Sequence, residues 1–153
     1  MTEFRKSRGR FVYYNRNPRK LKHACDCVTR AISAATALSW EDTMRSLVEH
    51  SIEIKYAFNA KEAYSSWLEE NGWTKHKQPR KPNGRKYRLH EFLNETTTGM
   101  FLVNTRGHLT FVEDGYVYDT FNCLNEVVGN YWSPPKNWLE HKFGTLPLIR
   151  HGR

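Results

Sequence analysis

The spacing of hydrophobic residues changes near residue 98, from a helical period to short apolar runs. In the first part, Val28, Ile32 and Ala35 repeat at intervals of four and three residues. Side chains at these intervals share one face of a helix, so we predict a buried helix from Asp26 or Cys27 to about Leu38. After residue 98 the apolar runs are short and separated by turn signals, which is typical of strands. Helices followed by an antiparallel meander indicate an α+β fold.

Three further helices are predicted, two of them from capping signals. Ser39 precedes an acidic residue three positions later, which predicts a helix over 40–50. Asn59 repeats this capping pattern, and the helix that follows should stop at the Asn71-Gly72 pair. A short helix is predicted over 90–94. Together these helices precede the strand-rich part of the chain.

Six strands are predicted, with two of them outside the meander. Short strands are expected at 11–14 and 73–77, on either side of the first three helices. The Asp114-Gly115 pair is a strong signal for a tight hairpin. The remaining apolar runs predict an antiparallel sheet over 99–103, 108–112, 116–120 and 127–132.

Length and composition favour a single domain. The chain has 153 residues, of which 39% are hydrophobic and 14% aromatic, enough for one core. We expect a flexible basic arm over 1–10 and one domain over 11–153. No apolar run is long enough to cross a bilayer, and no secretory signal is evident, so we expect no membrane partner. Three cysteines, two of them at 25 and 27, favour a reducing, cytoplasmic location.

Positive charge is concentrated in two segments. The formal net charge is +8, and residues 1–22 hold eight Lys or Arg against one Glu. Residues 75–88 hold seven Lys or Arg and no acid. Such segments attract polyanions, so an acidic protein or a nucleic acid is a candidate partner.

Three residues have the order and setting of a thiol triad. Cys27 opens the first predicted helix, where the helix dipole favours a thiolate. His108 begins one strand of the Asp114-Gly115 hairpin, and Asp119 lies on the other. Pairing across that turn puts Thr110 or Leu109 opposite Asp119 and makes His108 its diagonal neighbour. A histidine beside a thiolate can donate a proton to a leaving group, and a carboxylate can orient the histidine.

With Asp26-Cys27 at a helix start, Gly107-His108 before apolar residues, and Asp119 on the next strand, the chain resembles the papain-like cysteine peptidase superfamily. The resemblance covers roughly residues 13–122. It is to the small bacterial and phage members of the superfamily, which include cell-wall endopeptidases and bacteriocin-processing peptidases. It implies a papain-like fold and a hydrolase of peptides, isopeptides or amides that acts on a peptide or protein without a cofactor. It also implies that Cys27 is the nucleophile, His108 the general base and acid, and Asp119 the orienting residue.

The same resemblance implies an oxyanion hole with an upstream side-chain amide or hydroxyl. No Gln precedes Cys27, and the nearest amides are Asn17 and Asn15, which we take as candidates. The backbone N–H of Cys27 is a further donor. Arg30 lies one turn after Cys27, where it can bind an acidic substrate group or pair with a buried acid.

Other interpretations remain open. Cys25 competes with Cys27 as nucleophile, and Asp26 would raise the pKa of a neighbouring thiol unless it points away. His23, Cys25 and Cys27, with Cys123 or His108, offer zinc ligands, although they lack a Cys-x-x-Cys knuckle, and we expect no metal. A basic binding module without catalysis is the main alternative to a hydrolase.

Overall fold

The computed structural model describes residues 10–136 and has four helices and six strands in that range. The helices are α1 (Cys27–Thr36), α2 (Trp40–Ile54), α3 (Lys61–Glu70) and α4 (Leu89–Glu95). The strands are β1 (Phe11–Tyr13), β2 (Thr74–His76), β3 (Met100–Thr105), β4 (His108–Glu113), β5 (Tyr116–Asp119) and β6 (Val128–Ser133). The predicted α+β class is confirmed. The predicted arm, apart from Arg10, and the end of the predicted domain lie outside the described residues.

The six strands form one mixed sheet in the order β1-β5-β4-β3-β6-β2. Strands β3 to β6 pair antiparallel in the sheet, as does β2 with β6. The antiparallel pairing predicted for the four strands after residue 98 is confirmed, but their meander order is wrong, because β6 pairs with β3 and not with β5. The sequence did not place β1 in this sheet, where it pairs parallel to β5. β1 precedes all the helices, and no local turn links it to its partner. A parallel pair needs such a long connection, which leaves no short-range signal.

Each face of the sheet is covered, so the strands separate two apolar cores. Alternate residues of a strand point to opposite faces. Leu109 belongs to the core that α1, α2 and α3 cover, whereas Val112 belongs to the core beneath α4. Leu102 and Val103 of β3 divide between the two cores in the same way. Helix α1 packs on β4 and β3, which brings its first residue near the start of β4.

The helices lie where they were predicted, but two predicted caps and the end of α2 differ from the prediction. Ser39 accepts a hydrogen bond from the Asp42 backbone N–H, so this predicted cap is confirmed. Helix α2 extends beyond the predicted residue 50 to Ile54. Asn59 does not cap α3, because the N-cap position is Ala60. Asp26 occupies the N-cap position of α1, but its side chain makes no capping bond.

The hairpin between β4 and β5 fixes the position of two candidate site residues. Asp114 and Gly115 both have positive φ, 51° and 83°, as a tight type I′ turn requires. Phe111 pairs with Tyr118 in this hairpin. One step further from the turn, Thr110 therefore lies opposite Asp119, which confirms the predicted register.

None of the helices in residues 10–136 has both the length and the apolar character needed to cross a membrane.

Replacing Trp67 by Ala tests the larger core. The Trp67 side chain is 1% exposed, and its indole N–H donates to Ser46 Oγ at 2.9 Å. We expect Trp67→Ala to lower the free energy of unfolding by about 3–5 kcal/mol, because it leaves a cavity in the core and removes the hydrogen bond to Ser46. Ile52→Ala is the matched control, since Ile52 is 64% exposed. Urea titration gives both values, and equal losses would contradict this account of the core.

Candidate active site

Cys27 is the first residue of α1, at the end of the helix that lies against β4. The first turn has no side-chain cap, so backbone N–H groups there remain available to a bound group. The Cys27 side chain is partly buried and packs beside the larger core. Its sulfur interacts with the His108 ring and with the backbone N–H of Leu109. The helix start and the strand start therefore meet at the thiol.

His108 and Asp119 form a short hydrogen bond across the hairpin. His108 Nε2 lies 2.6 Å from Asp119 Oδ2, and the Asp119 side chain is only 5% exposed. Because Nε2 is engaged by the carboxylate, Nδ1 is the ring nitrogen left for Cys27. The structure thus brings together Cys27, His108 and Asp119 in the linear order of a triad.

The pKa of the Cys27 thiol lies below its ordinary value of 9.0. Burial raises this pKa, but interactions with the His108 side chain and the Leu109 backbone N–H lower it. The positive charges of His108 and Arg30 lower it further, and together the lowering effects prevail. A larger thiolate fraction at neutral pH follows.

The pKa values of the other two triad residues move in opposite directions. Burial lowers the pKa of His108, but its hydrogen bond to Asp119 and its interaction with Cys27 raise it to about 9. Burial raises the pKa of Asp119, but His108, Thr110 and the Thr120 backbone N–H outweigh this effect and hold it below its usual range. At neutral pH the site therefore favours a protonated imidazole between a carboxylate and a thiolate.

Asp26 does not leave an uncompensated negative charge beside the thiol. Its Oδ2 accepts hydrogen bonds from Asn17 Nδ2 at 2.8 Å and from Trp40 Nε1 at 2.9 Å. Arg30 Nε lies 3.3 Å from Asp26 Oδ1, so the two side chains form an ion pair. The N–H of Arg30 Nε does not make a hydrogen bond there. Arg30 also lies 3.9 Å from Asp119 Oδ1. Arg30 therefore pairs with a buried acid, the second role considered for it, although it also lines the cleft described below.

Asn15 and Asn17, the candidates for the oxyanion hole, hold the loop that precedes Cys27. Asn15 Nδ2 donates to the Leu21 carbonyl, and Asn15 Oδ1 accepts from the Asn17 backbone N–H. Asn17 Nδ2 donates to Asp26. In the described part of the chain, neither side chain lines the cleft at the thiol. The structure thus gives both amides a positioning task in place of the predicted contact with substrate.

A cleft of about 1180 Å³ opens at the Cys27–His108 pair. It is bounded by the start of α1, the start of α3, the turn between β3 and β4, and segments 78–88 and 120–129. Phe121 stands on its wall, 44% exposed, with its ring centroid 4.8 Å from that of His108. Small-molecule pockets are typically about 300–1,000 Å³, so the volume suits an extended ligand.

Tyr64 and Asn104 form a polar wall of the cleft that the sequence analysis did not find. Tyr64 Oη donates to Asn104 Oδ1 at 2.7 Å, and Asn104 Nδ2 donates to Asn130 Oδ1 at 2.9 Å. Burial raises the pKa of Tyr64 to about 12, so its hydroxyl keeps its proton. The sequence had one signal for this polar wall, since Asn104 interrupts the apolar run of β3. Tyr64 on α3 had no such signal.

Cys123 and Thr110 surround the far side of Asp119. Thr110 Oγ1 donates to Asp119 Oδ2 at 2.6 Å, and the Cys123 sulfur lies 4.0 Å from the same oxygen. Burial raises the pKa of Cys123 to about 12. Candidate metal ligands within residues 10–136 group as His108, Asp119 and Cys123, within 4.8 Å of one another. The alternative zinc set around His23 and Cys25 is not among the groups that residues 10–136 bring together.

Those three side chains are a poor fit to a metal site. His108 and Asp119 are bonded directly to each other, and the Cys123 thiol would have to lose its proton in an apolar environment to bind zinc.

Comparison with protein-family models, with curated proteins and with solved structures gave no match to this chain.

Alkylation kinetics test the charge state of Cys27. We expect iodoacetamide to modify Cys27 about tenfold faster than Cys25 at pH 7, because more of it is thiolate. The thiolate fraction grows as pH rises, so the inflection for Cys27 should fall below 9.0. His108→Ala should move that inflection upward. Peptide mapping by mass spectrometry separates the three cysteines, with buried Cys123 as the slow reference. Equal, slow modification of all three would contradict the ion pair.

Thr110→Val tests whether the carboxylate depends on its hydroxyl donor. The change keeps the shape and removes one hydrogen bond to Asp119, so the free energy of unfolding at pH 7 should fall by about 1–3 kcal/mol. The depressed pKa of Asp119 contributes stability above the ordinary carboxyl pKa, and this is lost as pH falls through the folded value. The difference between variant and wild type should therefore shrink in acid.

Thr29→Val is the matched control for that variant. Thr29 lies on α1 and is buried as completely as Thr110 is. Its hydroxyl, however, donates to the Met44 sulfur, at 3.8 Å, and not to a carboxylate. We expect a smaller loss that does not change with pH between neutral and acidic conditions. If the two variants have the same pH dependence, Thr110 does not act through the carboxylate.

Proposed function

We propose that this chain is a thiol-dependent hydrolase of peptides, isopeptides or amides, built on a papain-like fold. The observation that carries the proposal is the Asp119–His108 hydrogen bond of 2.6 Å beside a helix-terminal thiol of lowered pKa, at a cleft. Perturbed titratable groups that meet in a cleft are typical of catalytic sites.

Acylation begins with the Cys27 thiolate. The sulfur attacks the carbonyl carbon of the scissile amide, and the carbonyl oxygen becomes an oxyanion. The His108 imidazolium then donates its proton to the leaving nitrogen as the carbon–nitrogen bond breaks. The amine departs, a thioester links the acyl group to Cys27, and His108 is left neutral.

Deacylation reverses the role of the histidine. Neutral His108 takes a proton from a water molecule while the water oxygen attacks the thioester carbonyl. The carbon–sulfur bond breaks, the carboxylic acid leaves, and the thiolate–imidazolium pair is restored. Asp119 stays ionised throughout, and orients the ring and stabilises its positive charge.

The oxyanion is stabilised by donors at the start of α1. The backbone N–H of Cys27 belongs to the uncapped first turn, where the helix dipole also favours negative charge. The Tyr64 hydroxyl on the cleft wall is a second donor, once its proton turns from Asn104 to the substrate. This arrangement needs no side-chain amide upstream of Cys27.

A binding module without catalysis is the second candidate. The observation in its favour is the basic lining of the cleft, which suits an anionic ligand. Binding alone, however, gives no reason for a lowered thiol pKa or for a buried carboxylate bonded to the adjacent histidine. The hydrolase therefore accounts for more of the described structure.

Digestion of a diverse peptide mixture tests hydrolysis without knowledge of the substrate. We expect the wild type to generate new peptide termini that mass spectrometry detects, and Cys27→Ala to generate none. His108→Ala should slow cleavage by about 10²–10⁴-fold, because general acid catalysis is lost. Cys25→Ala is the matched control and should leave the rate unchanged. Cleavage that survives Cys27→Ala would exclude the proposed nucleophile.

A further inference from the structure

Positive side chains predominate among the charged residues that line the cleft at Cys27. Six Lys or Arg residues line it against two acids, Asp26 and Glu126. Asp26 is paired with Arg30, which leaves Glu126 as the other acid. The remaining cations of the lining are Lys22, Lys61, Lys86, Arg88 and Arg106.

These cations converge from separate parts of the chain. Lys22 lies in the loop before Cys27, and Lys61 begins α3. Lys86 precedes α4, and Arg106 lies in the turn that leads to His108. All four side chains are exposed, and none makes an ion pair or side-chain hydrogen bond with another residue in 10–136. Their charge is therefore available to a ligand.

We propose that this cleft selects acidic peptide segments, with Glu or Asp residues near the scissile bond; this inference rests on the proposed hydrolase. Like-signed side chains around a cleft attract ligands of opposite charge and raise their rate of association. Lys22, Lys61, Lys86 and Arg106 supply that field around the thiol. Arg30 is paired with Asp26 and Asp119, so its charge is already compensated within the site.

A peptide fits the cleft better than a nucleic acid does. Binding of single strands uses several aromatic side chains on which successive bases stack. Among the described residues of the lining, Phe121 is the exposed aromatic, and its ring is in contact with His108. A thiolate, moreover, attacks a carbonyl carbon, which a peptide offers at every residue.

Two matched peptide vinyl sulfones test this selection. The two probes are identical except at the positions next to the vinyl sulfone, where one has Glu and the other has Gln. The thiolate adds to the vinyl carbon and the adjacent carbanion takes a proton, so labelling of Cys27 reports binding in the cleft. We expect the Glu probe to label wild-type protein about tenfold faster at low salt, and the preference to fall as salt screens the cations.

Charge variants connect this preference to the cleft. Lys61→Gln with Arg106→Gln should remove most of the preference for the Glu probe. The control is Arg45→Gln with Lys77→Gln, which removes the same charge from exposed positions outside the lining and should keep the preference. Each labelling rate is divided by the iodoacetamide rate at Cys27 in the same variant, which corrects for thiol reactivity.

The possible results separate the two proposals. If Cys27 reacts with iodoacetamide no faster than Cys25, the hydrolase itself fails. If Cys27 is reactive but labels equally with both probes, selection of acidic peptides is overturned and the hydrolase stands. The assignment to peptides is also overturned if a single-stranded oligonucleotide protects Cys27 from the Glu probe at lower concentration than a Glu-rich peptide does.

Discussion

The buried carboxylate of Asp119 is the constraint on which the candidate site depends. A charge removed from water is costly unless donors and positive groups surround it. Asp119 receives hydrogen bonds from His108, Thr110 and the Thr120 backbone N–H, and Arg30 approaches from α1. These groups come from β4, the residue that follows β5, and α1. The carboxylate is satisfied only when the hairpin has its native register and the helix is docked, so fold and site form together.

Arg30 extends this constraint to the segment before the thiol. It lies between the carboxylates of Asp26 and Asp119, and so carries the connection from the sheet into the loop. Asp26 in turn holds Asn17 and the indole of Trp40 on α2. Asp26, which precedes Cys27, is thereby held by Asn17, Trp40 and Arg30. Its carboxylate is bound by these groups and not by the thiol.

Local signals account for most of what the sequence could predict. Helix periodicity located Cys27 at a helix start, and the Asp114-Gly115 turn fixed the register that places His108 diagonally from Asp119. Contacts across long sequence separations were not predictable in the same way. The parallel pairing of β1, the Tyr64–Asn104 wall and the role of Trp40 all join segments with no shared turn. The basic cleft belongs to this group only in part, since Lys22 and Lys86 lie in the two basic segments but Lys61 and Arg106 do not.

Salt separates the two electrostatic tasks of the site. The Debye length is about 8 Å at physiological ionic strength, so exposed charges on the cleft rim are screened. The His108–Asp119 pair is buried and screened much less. Added salt should therefore weaken attraction of an anionic ligand by Lys61 and Arg106 while leaving the charge state of the triad nearly unchanged. The exposed cations and the buried pair can thus be varied independently, because the cations are much more exposed to solvent ions than the His108–Asp119 pair is.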